Sequence, residues 1–146
     1  TTAVYEYNTQ TFVMRVQWFA SKKESGFPVF CAEENGLVIG FSSIGPFRNW
    51  AAYKYSVENS VYVSAEHRGK GIGKLLLLPL IQAAKEMNMH TIIASIDANN
   101  ESSLRLHKSL GFFEVAHFKQ VGYKFGRWLD LKFLELILDT PLQPVE

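Results

Sequence analysis

The segment from Tyr53 to Ile81 constrains the fold of this chain more than any other part of the sequence. It begins with YKYSVENSVYVS, in which every second residue falls on the same face of a predicted β-strand. The glycine-rich sequence RGKGIG follows, and an apolar run then predicts a helix from about Gly71 to Met89. Pro79 lies inside this helix and removes one backbone hydrogen bond, so we expect a kink or a local break there. The segment therefore predicts a strand, a tight turn and a helix in direct succession.

Shorter patterns on both sides of this segment predict the remaining elements of an α/β fold. Strand and helix alternate only in the middle of the chain, so we expect a mixed sheet rather than a purely parallel one. Asn35-Gly36 is a strong tight-turn signal, and either Asn99 or Asn100 can cap a helix. The predicted elements are a helix over Gln10–Lys22 that is stopped by Gly26, a hairpin in PVFCAEENGLVIGFSSIG, a loop in GPFRNWAA, a strand in TIIASIDA, a helix in ESSLRLHKSLG that ends at Gly111, and a final pair of strands in FFEVAHFKQVGYKFG and RWLDLKFLELIL.

Length and composition narrow the class of protein. A chain of 146 residues with 47% apolar residues is predicted to form one domain over residues 1–146 and to bury a core. The net charge of +1 argues against a broad basic face for nucleic acid. Cys31 is the only cysteine, which excludes an internal disulfide, and we expect a buried strand residue rather than a nucleophile. Without a membrane-spanning stretch or a signal peptide, we expect a cytoplasmic protein with no nucleic-acid or membrane partner.

The glycine-rich turn carries three cations, Arg68, Lys70 and Lys74, at the start of the predicted helix. A helix N-terminus offers unpaired N–H groups and a positive dipole end, and glycine lets the backbone approach an anion, so the turn suits a diphosphate. A Walker loop needs Ser or Thr after its Gly-Lys, and a Rossmann loop needs a third glycine that is absent here. The pattern Q/R-x-x-G-x-G/A is satisfied by Arg68, Gly71 and Gly73. A turn that only connects strand to helix is the alternative.

That last pattern resembles the coenzyme A pyrophosphate loop of the GNAT superfamily of N-acetyltransferases. Within the superfamily the chain is similar to the phosphinothricin and methionine sulfone (methionine sulfoximine) acetyltransferases. The most specific of the matching segments are SVYV, RGKGIG, LHKSLGF and KFGRWLD, and all matching segments together span nearly the whole chain in order. The resemblance implies the GNAT fold, in which helices flank a mixed, mostly antiparallel central sheet. Members usually carry a first strand and helix ahead of the TTAV segment, so this chain is expected to lack both.

The resemblance implies an enzyme that uses acetyl-CoA as its co-substrate and no metal. The attacking amine must be neutral, so a base has to remove a proton, and a donor has to support the departing thiolate. Asn100 resembles the superfamily Asn that bonds the CoA arm, and a simple helix cap is an alternative that can hold at the same time. For Lys108 and Arg105 we expect a solvated helix face. The residues that the resemblance and the loop together imply in acetyl-CoA binding are Val61, Tyr62, Val63, Arg68, Gly69, Lys70, Gly71, Ile72, Gly73, Lys74, Asn100 and Ser109.

The resemblance implies two catalytic residues. Glu58 of VENS matches the catalytic carboxylate on the strand before the loop and is the expected base, although its polar strand face also suits a solvated residue. His107 is the expected acid, because this subfamily carries His where many superfamily members carry Tyr. A helix histidine that faces solvent or caps a neighbour is the alternative. A strand bulge near Asn59 or Ser60 would re-aim side chains and free backbone N–H groups for the arm and the thioester.

Residues before the strand are candidates for binding the acceptor amine. Arg48 and Lys54 suit the α-carboxylate of an amino acid. The resemblance places Ala51, Ala52 and Tyr53 in the acceptor-binding loop. In this family the final hairpin shapes the pocket at a dimer interface, so a homodimer is expected. The hairpin residues concerned are Lys124, Phe125 and Trp128. Ordinary strand packing is the alternative for all three, and it is the favoured one for Trp128.

Taken together, these features predict an enzyme that acetylates the α-amine of a small amino-acid analogue such as phosphinothricin, methionine sulfone or methionine sulfoximine. Two alternatives stay open. A protein or peptide N-terminal acetyltransferase would need an open groove, whereas four bulky aromatic residues favour a closed pocket. They are Phe47, Trp50, Tyr53 and Tyr55. A non-catalytic acetyl-CoA-binding module would keep the glycine loop but would not need Glu58.

Overall fold

A computed structural model describes residues 1–146, which form three α-helices and six β-strands. None of the helices combines the length and the apolar character that crossing a membrane requires. The helices are α1 (Phe12–Glu24), α2 (Ile72–Glu86) and α3 (Glu101–Ser109). The strands are β1 (Val29–Glu34), β2 (Leu37–Pro46), β3 (Ser56–Val63), β4 (Thr91–Asp97), β5 (Phe113–Lys124) and β6 (Arg127–Ile137).

The six strands form one sheet in the order β1-β2-β3-β4-β6-β5. Only β3 and β4 run parallel, and α2 makes the crossover between them. The other four neighbouring pairs are antiparallel. The prediction of a mixed, mostly antiparallel sheet flanked by helices is therefore confirmed.

The core lies between one face of this sheet and helices α2 and α3. Its fully buried side chains include Leu77 and Leu80 of α2, Ile92 of β4 and Leu134 of β6. Burial of each such side chain stabilises the fold by about 1.5–3 kcal/mol. A Cβ on Gly73 would lie 2.8 Å from Leu106 Cδ2 of α3, so the glycine allows the two helices to approach closely. The last glycine of the turn thus has a packing role.

Helix α2 follows the predicted pattern with two differences. It ends at Glu86 rather than Met89, and it continues through Pro79, so of the kink or local break that we expected there, the break does not occur. The strand before it is shorter than predicted at its start, because Ala51–Tyr53 form a 3₁₀ turn and β3 begins only at Ser56. The strand–turn–helix unit itself is confirmed.

Three other local predictions are confirmed: a tight turn, a helix cap and the end of a helix. Asn35 and Gly36 both have positive φ, at 51° and 80°, and connect β1 to β2 as a tight turn. Asn100 rather than Asn99 caps α3, and its side chain accepts from the Ser103 N–H. Gly111 follows α3 with φ of 95°.

Cys31 corrects one prediction. It lies in strand β1 as expected, but its side chain is exposed rather than buried. The reason is that β1 is the edge strand of the sheet and pairs only with β2. None of the six residues of β1 is fully buried, and Cys31 lies on the face opposite to its neighbour Phe30, which packs against the core.

Candidate active site

A cleft of about 380 Å³ opens where the parallel strands β3 and β4 separate. The two strands pair from Ser56 with Thr91 to Asn59 with Ala94, and the pairing ends there. Beyond this point Ser60, Val61 and Tyr62 line the cleft from one side and Ile96 and Asp97 line it from the other. The cleft is thus a gap within the sheet itself.

The divergence of the strands frees backbone groups without the bulge that we predicted. The register between β2 and β3 is continuous from Gly40 opposite Val63 to Pro46 opposite Val57, so that prediction was wrong. The Ser64 N–H bonds to β2, at 2.8 Å from the Ile39 carbonyl. Since backbone groups alternate along a strand, those of Val61 and Val63 point to the opposite edge, where β4 no longer pairs with them. The Val61 N–H and carbonyl and the Val63 N–H can therefore bind a ligand in the cleft, whereas the Val63 carbonyl accepts from Arg68 Nε.

The cleft connects the two faces of the sheet. Asn59 points to the helical face, where it contacts His107 of α3. Tyr62 points to the other face, where its ring lies 5.1 Å from that of Phe41, and Phe41 in turn contacts Trp18 of α1. A ligand on one face can therefore meet a second ligand that enters from the other face.

Glu58 lies on the face opposite to Asn59 and is half-buried in the cleft. The Ser95 hydroxyl donates to Glu58 Oε1 at 2.5 Å. No cationic side chain forms an ion pair with Glu58. The carboxylate is thus held by a neutral hydroxyl and keeps its second oxygen available in the cleft.

His107 is buried, with an exposed fraction of only 2%. Its Nδ1 lies 2.8 Å from the Ser103 carbonyl, and its Nε2 lies 3.0 Å from Asn59 Nδ2. Burial lowers the pKa of His107, although the hydrogen bond to the Ser103 carbonyl acts in the opposite direction. Both ring nitrogens are engaged by the protein, so the solvent-facing alternative does not apply.

The glycine-rich turn has the backbone that the sequence predicted. Gly69 and Gly71 have φ of 75° and 79°, which favour glycine, and Gly71 caps α2. The three cations of the turn, Arg68, Lys70 and Lys74, are exposed, and none of them forms an ion pair. The Arg68 Nε–H donates to the Val63 carbonyl at 3.2 Å, which ties the turn to the end of β3. These residues fit a diphosphate at the N-terminus of α2.

Of the candidates on α3, Asn100 lines the cleft and Ser109 does not. Asn100 uses its carboxamide oxygen as the helix cap, which leaves its NH₂ group free to donate to a ligand. Ser109 is exposed and donates to the Leu106 carbonyl at 2.6 Å. Arg105 is exposed and pairs with Glu101 at 3.2 Å, as expected for a solvated helix face.

Among the predicted acceptor residues, Arg48 alone lines the cleft. Its guanidinium lies over the Phe47 ring, 4.2 Å from the centroid, and donates to the Phe47 carbonyl at 2.9 Å. Tyr53 contacts the same ring from the 3₁₀ turn, with 5.8 Å between centroids. Ala51, Ala52 and Lys54 are exposed and lie outside the cleft.

Sequence reasoning missed Asp97 and Tyr5, which line the cleft on the same side as Ser95. Asp97 is only 4% exposed, accepts from the Asn99 N–H at 2.8 Å, and lies 3.4 Å from the Tyr5 hydroxyl. Partial burial, reinforced by Asp97, raises the pKa of Tyr5 to about 12. A lone Asp at the end of a buried strand was visible in the sequence, but nothing linked Tyr5 to it. No group of three or more His, Cys, Asp or Glu side chains is arranged to hold a metal ion.

Comparison with known proteins identifies the family and the relatives that this chain is similar to. Residues 2–112 match the acetyltransferase (GNAT) family. The chain is 44% identical to the L-amino acid N-acyltransferase MnaT of Escherichia coli and to the L-methionine sulfoximine/L-methionine sulfone acetyltransferase of Salmonella typhimurium, over 99% of this chain and 84% of each relative. It is 35% identical to the phosphinothricin N-acetyltransferase of Alcaligenes faecalis, over 80% of this chain and 60% of the relative.

Two solved structures that contain acetyl-CoA share this fold. One is yncA of Salmonella typhimurium with its cofactor acetyl-CoA, at a TM-score of 0.95 and 43% identity, over 99% of this chain and 84% of the other. The second is a GNAT superfamily phosphinothricin acetyltransferase of Sinorhizobium meliloti in complex with acetyl-CoA. Its TM-score is 0.92 at 37% identity, over 97% of this chain and 78% of the other.

Proposed function

The chain belongs to the acetyltransferase (GNAT) family, and from that premise we propose that it acetylates the α-amine of a small amino-acid analogue. Methionine sulfone, methionine sulfoximine and phosphinothricin are the candidate acceptors, because relatives at 35–44% identity carry these names. The observation that carries the proposal is the position of Glu58. Its carboxylate lies in the cleft on the face opposite to Asn59, beside the strand edge where Val61 is unpaired.

The described residues fit acetyl-CoA along a continuous path. The N-terminus of α2, with Gly71 and the unpaired cations of the turn, would hold the pyrophosphate. The free backbone groups of Val61 and the N–H of Val63 would bind the pantetheine arm, and the NH₂ group of Asn100 would donate to an arm carbonyl. Bound there, the co-substrate supplies an acetyl thioester to the cleft.

Glu58 is the proposed general base. It would take a proton from the acceptor ammonium, and the neutral nitrogen would then attack the thioester carbonyl carbon. As the C–N bond forms, the carbonyl oxygen gains negative charge, which the backbone N–H at Val61 would stabilise. The C–S bond then breaks, the nitrogen loses its second proton as the amide forms, and the departing thiolate takes up one proton to become the free thiol. The role of acid that the resemblance implies for His107 stays a prediction.

The charges of the cleft support an amino-acid acceptor. The face that carries Glu58 also carries the buried carboxylate of Asp97, while Arg48 is the cation on the cleft wall. We infer that Asp97 and Glu58 attract the α-ammonium and that Arg48 binds the carboxylate. None of the aromatic residues Phe47, Trp50, Tyr53 and Tyr55 lines the cleft, so the preference for a small molecule over a peptide rests on these charges and on the named relatives.

The hairpin of β5 and β6 supports the proposal of a homodimer. Strand β5 is an edge of the sheet, and it exposes an unusual number of large apolar side chains. Phe125 and Trp128, at the hairpin turn, are 68% and 60% exposed, although the Trp128 ring also packs edge-on against Tyr123, with 5.1 Å between centroids. Sedimentation velocity tests this proposal, since a monomer at all concentrations would contradict it. The other exposed apolar residues of the hairpin are Phe113, Val115, Phe118, Val121 and Tyr123 of β5 and Ile137 of β6.

The proposed function is tested by thiol release from acetyl-CoA with a panel of acceptors. The panel holds methionine sulfone, methionine sulfoximine, phosphinothricin, common amino acids and short peptides. We expect turnover on the three analogues, and turnover that is at least about 100-fold slower by the Glu58→Gln variant run in parallel. Turnover on peptides alone would favour the N-terminal acetyltransferase. Binding of acetyl-CoA without turnover on any acceptor would favour the non-catalytic module.

A further inference from the structure

Asn59 presents a buried polar atom that the protein does not satisfy. The residue is only 6% exposed, and its side-chain oxygen Oδ1 has no hydrogen-bond partner. It lines the cleft at the last position where β3 pairs with β4. Buried acceptors without a partner are rare in native structures because leaving one unpaired costs free energy. An N–H donor from a bound ligand would remove that cost.

His107 fixes which end of the Asn59 carboxamide faces the ligand. The Ser103 carbonyl can only accept, so the proton of the neutral imidazole must be on Nδ1, 2.8 Å away. Nε2 then carries a lone pair, and the group of Asn59 that faces it at 3.0 Å must be the NH₂. The oxygen is therefore directed away from His107, and a flipped carboxamide would place two acceptors against each other.

We propose that His107 is a positioning residue that orients Asn59, and that Asn59 Oδ1 accepts a hydrogen bond from an amide N–H of the pantetheine arm. The inference rests on the proposed function only in taking acetyl-CoA as the ligand. Asn59 points to the same face of β3 as Val61, whose free backbone edge is proposed to bind the arm. Glu58 and Asp97, the proposed acceptor-binding side chains, lie on the opposite face, so the arm is the nearer source of an N–H.

The same geometry leaves His107 without a proton to deliver. In the neutral ring the one N–H is used by Ser103, and the only lone pair is used by Asn59. Protonation of Nε2 would direct an N–H at the Asn59 NH₂ group, and burial in any case favours the neutral ring. A positioning role needs neither proton transfer nor movement of the ring.

Two substitutions of His107 separate positioning from acid catalysis. His107→Gln can place its side-chain oxygen near the position of Nε2 and accept from Asn59, but it cannot titrate. His107→Phe keeps the ring and its edge contact with Phe112 but cannot accept. We expect the Gln variant to keep the acetyl-CoA dissociation constant and kcat within about threefold, and the Phe variant to weaken acetyl-CoA binding about tenfold. Equal loss of kcat in both variants, with unchanged binding, would overturn the proposal and restore His107 as the acid.

The source of the N–H is tested with Asn59→Leu, which has a similar volume and no polar atoms. Calorimetry without an acceptor should show about tenfold weaker binding of acetyl-CoA, and unchanged binding of 3′-phosphoadenosine 5′-diphosphate, which lacks the arm. Adding His107→Phe to this variant should weaken binding little further, because both changes remove the same interaction. A raised KM for the acceptor with unchanged acetyl-CoA binding would assign the oxygen to the acceptor instead. The calorimetry measures acetyl-CoA binding without any acceptor. Its result therefore tests the role of Asn59 even if the proposed acceptor is wrong. Thermal unfolding checks that each variant folds.

Discussion

Ser95 Oγ lies 2.5 Å from Glu58 Oε1, so the hydroxyl of β4 holds the carboxylate of β3 across the point where the two strands separate. The pair lies in the cleft on the face opposite to Asn59, and Glu58 forms no ion pair. A carboxylate held in this way has one oxygen fixed and the other available for a proton. This arrangement gives the proposed base a defined direction.

Glu58→Gln should lower kcat by at least about 100-fold, because the amide keeps the size of the side chain but cannot take a proton at neutral pH. The dissociation constant of acetyl-CoA should stay unchanged, since Glu58 lies on the face opposite to Asn59. Steady-state kinetics and calorimetry measure the two effects. Glu33→Gln, on the exposed edge strand β1, is the matched control and should retain full activity. Normal kcat in Glu58→Gln would remove this residue from the mechanism.

Ser95→Ala should lower kcat by a smaller factor, about three- to tenfold, because it removes the hydrogen bond that orients Glu58 but not the base itself. In the Glu58→Gln background the same change should have little further effect on kcat, since the two residues act as one unit. The measurement is a double-mutant cycle on kcat. Independent, multiplicative losses would mean that Ser95 acts in some way other than through Glu58.

Asp97→Asn should raise the KM for the acceptor about tenfold and leave the KM for acetyl-CoA unchanged. The carboxamide retains an oxygen for the Asn99 N–H, so the turn after β4 is preserved, while the negative charge that would attract the ammonium is lost. Asp139→Asn, on the exposed surface, is the control for a change of net charge. If Asp97→Asn and Asp139→Asn have the same KM for the acceptor, then Asp97 does not attract the ammonium group of the acceptor.

Local patterns in the sequence predicted the elements well because each pattern has a local physical cause. The left-handed turn at Asn35 and Gly36, the cap at Asn100 and the glycine turn before α2 all depend on residues within a few positions of one another. The position of Glu58 on a polar strand face also follows from alternation along β3. For these features, the chain needs no distant contact to specify the structure.

The parts of the site that the sequence did not predict depend on contacts between distant segments. Tyr5 and Asp97 are separated by 92 positions, and Asn59 and His107 by 48. No periodicity connects such pairs. The free backbone edge at Val61 comes from the divergence of β3 and β4 rather than from a bulge, and divergence is a property of the whole sheet. The exposure of a strand such as β1 likewise depends on its place at the edge.

Gly71→Ala and Gly126→Ala form a matched pair that separates backbone strain from ligand binding. Both glycines have positive φ, at 79° and 72°, and neither has any atom within 4 Å of an added Cβ. Each substitution should therefore cost about 1–2 kcal/mol of stability. Only Gly71→Ala should also weaken acetyl-CoA, by about tenfold or more, because its methyl group occupies space at the N-terminus of α2. Urea unfolding and calorimetry measure the two effects, and equal affinity in both variants would place the pyrophosphate elsewhere.

The buried imidazole of His107 should make the protein less stable as the pH falls below about 6.5. Burial lowers the pKa of His107 in the folded state, so between its unfolded and folded values the unfolded chain binds a proton that the folded chain does not. The free energy of unfolding therefore decreases with falling pH in this window. Hydrogen bonds and nearby cations also lower the pKa of Glu114 and Asp130, but these carboxylates lose their contributions only in more acidic solution.

Urea unfolding at pH 7.5, 6.5 and 5.5 tests this effect in the wild-type protein and in His107→Gln, which cannot titrate. The wild-type midpoint should decrease from pH 6.5 to 5.5 more than that of the variant. At pH 7.5 His107 is neutral in both states, so the two proteins should differ there only by the packing change. Parallel decreases in the two proteins would show that the imidazole is not the group responsible, and would remove the support that its burial gives to a neutral, positioning role.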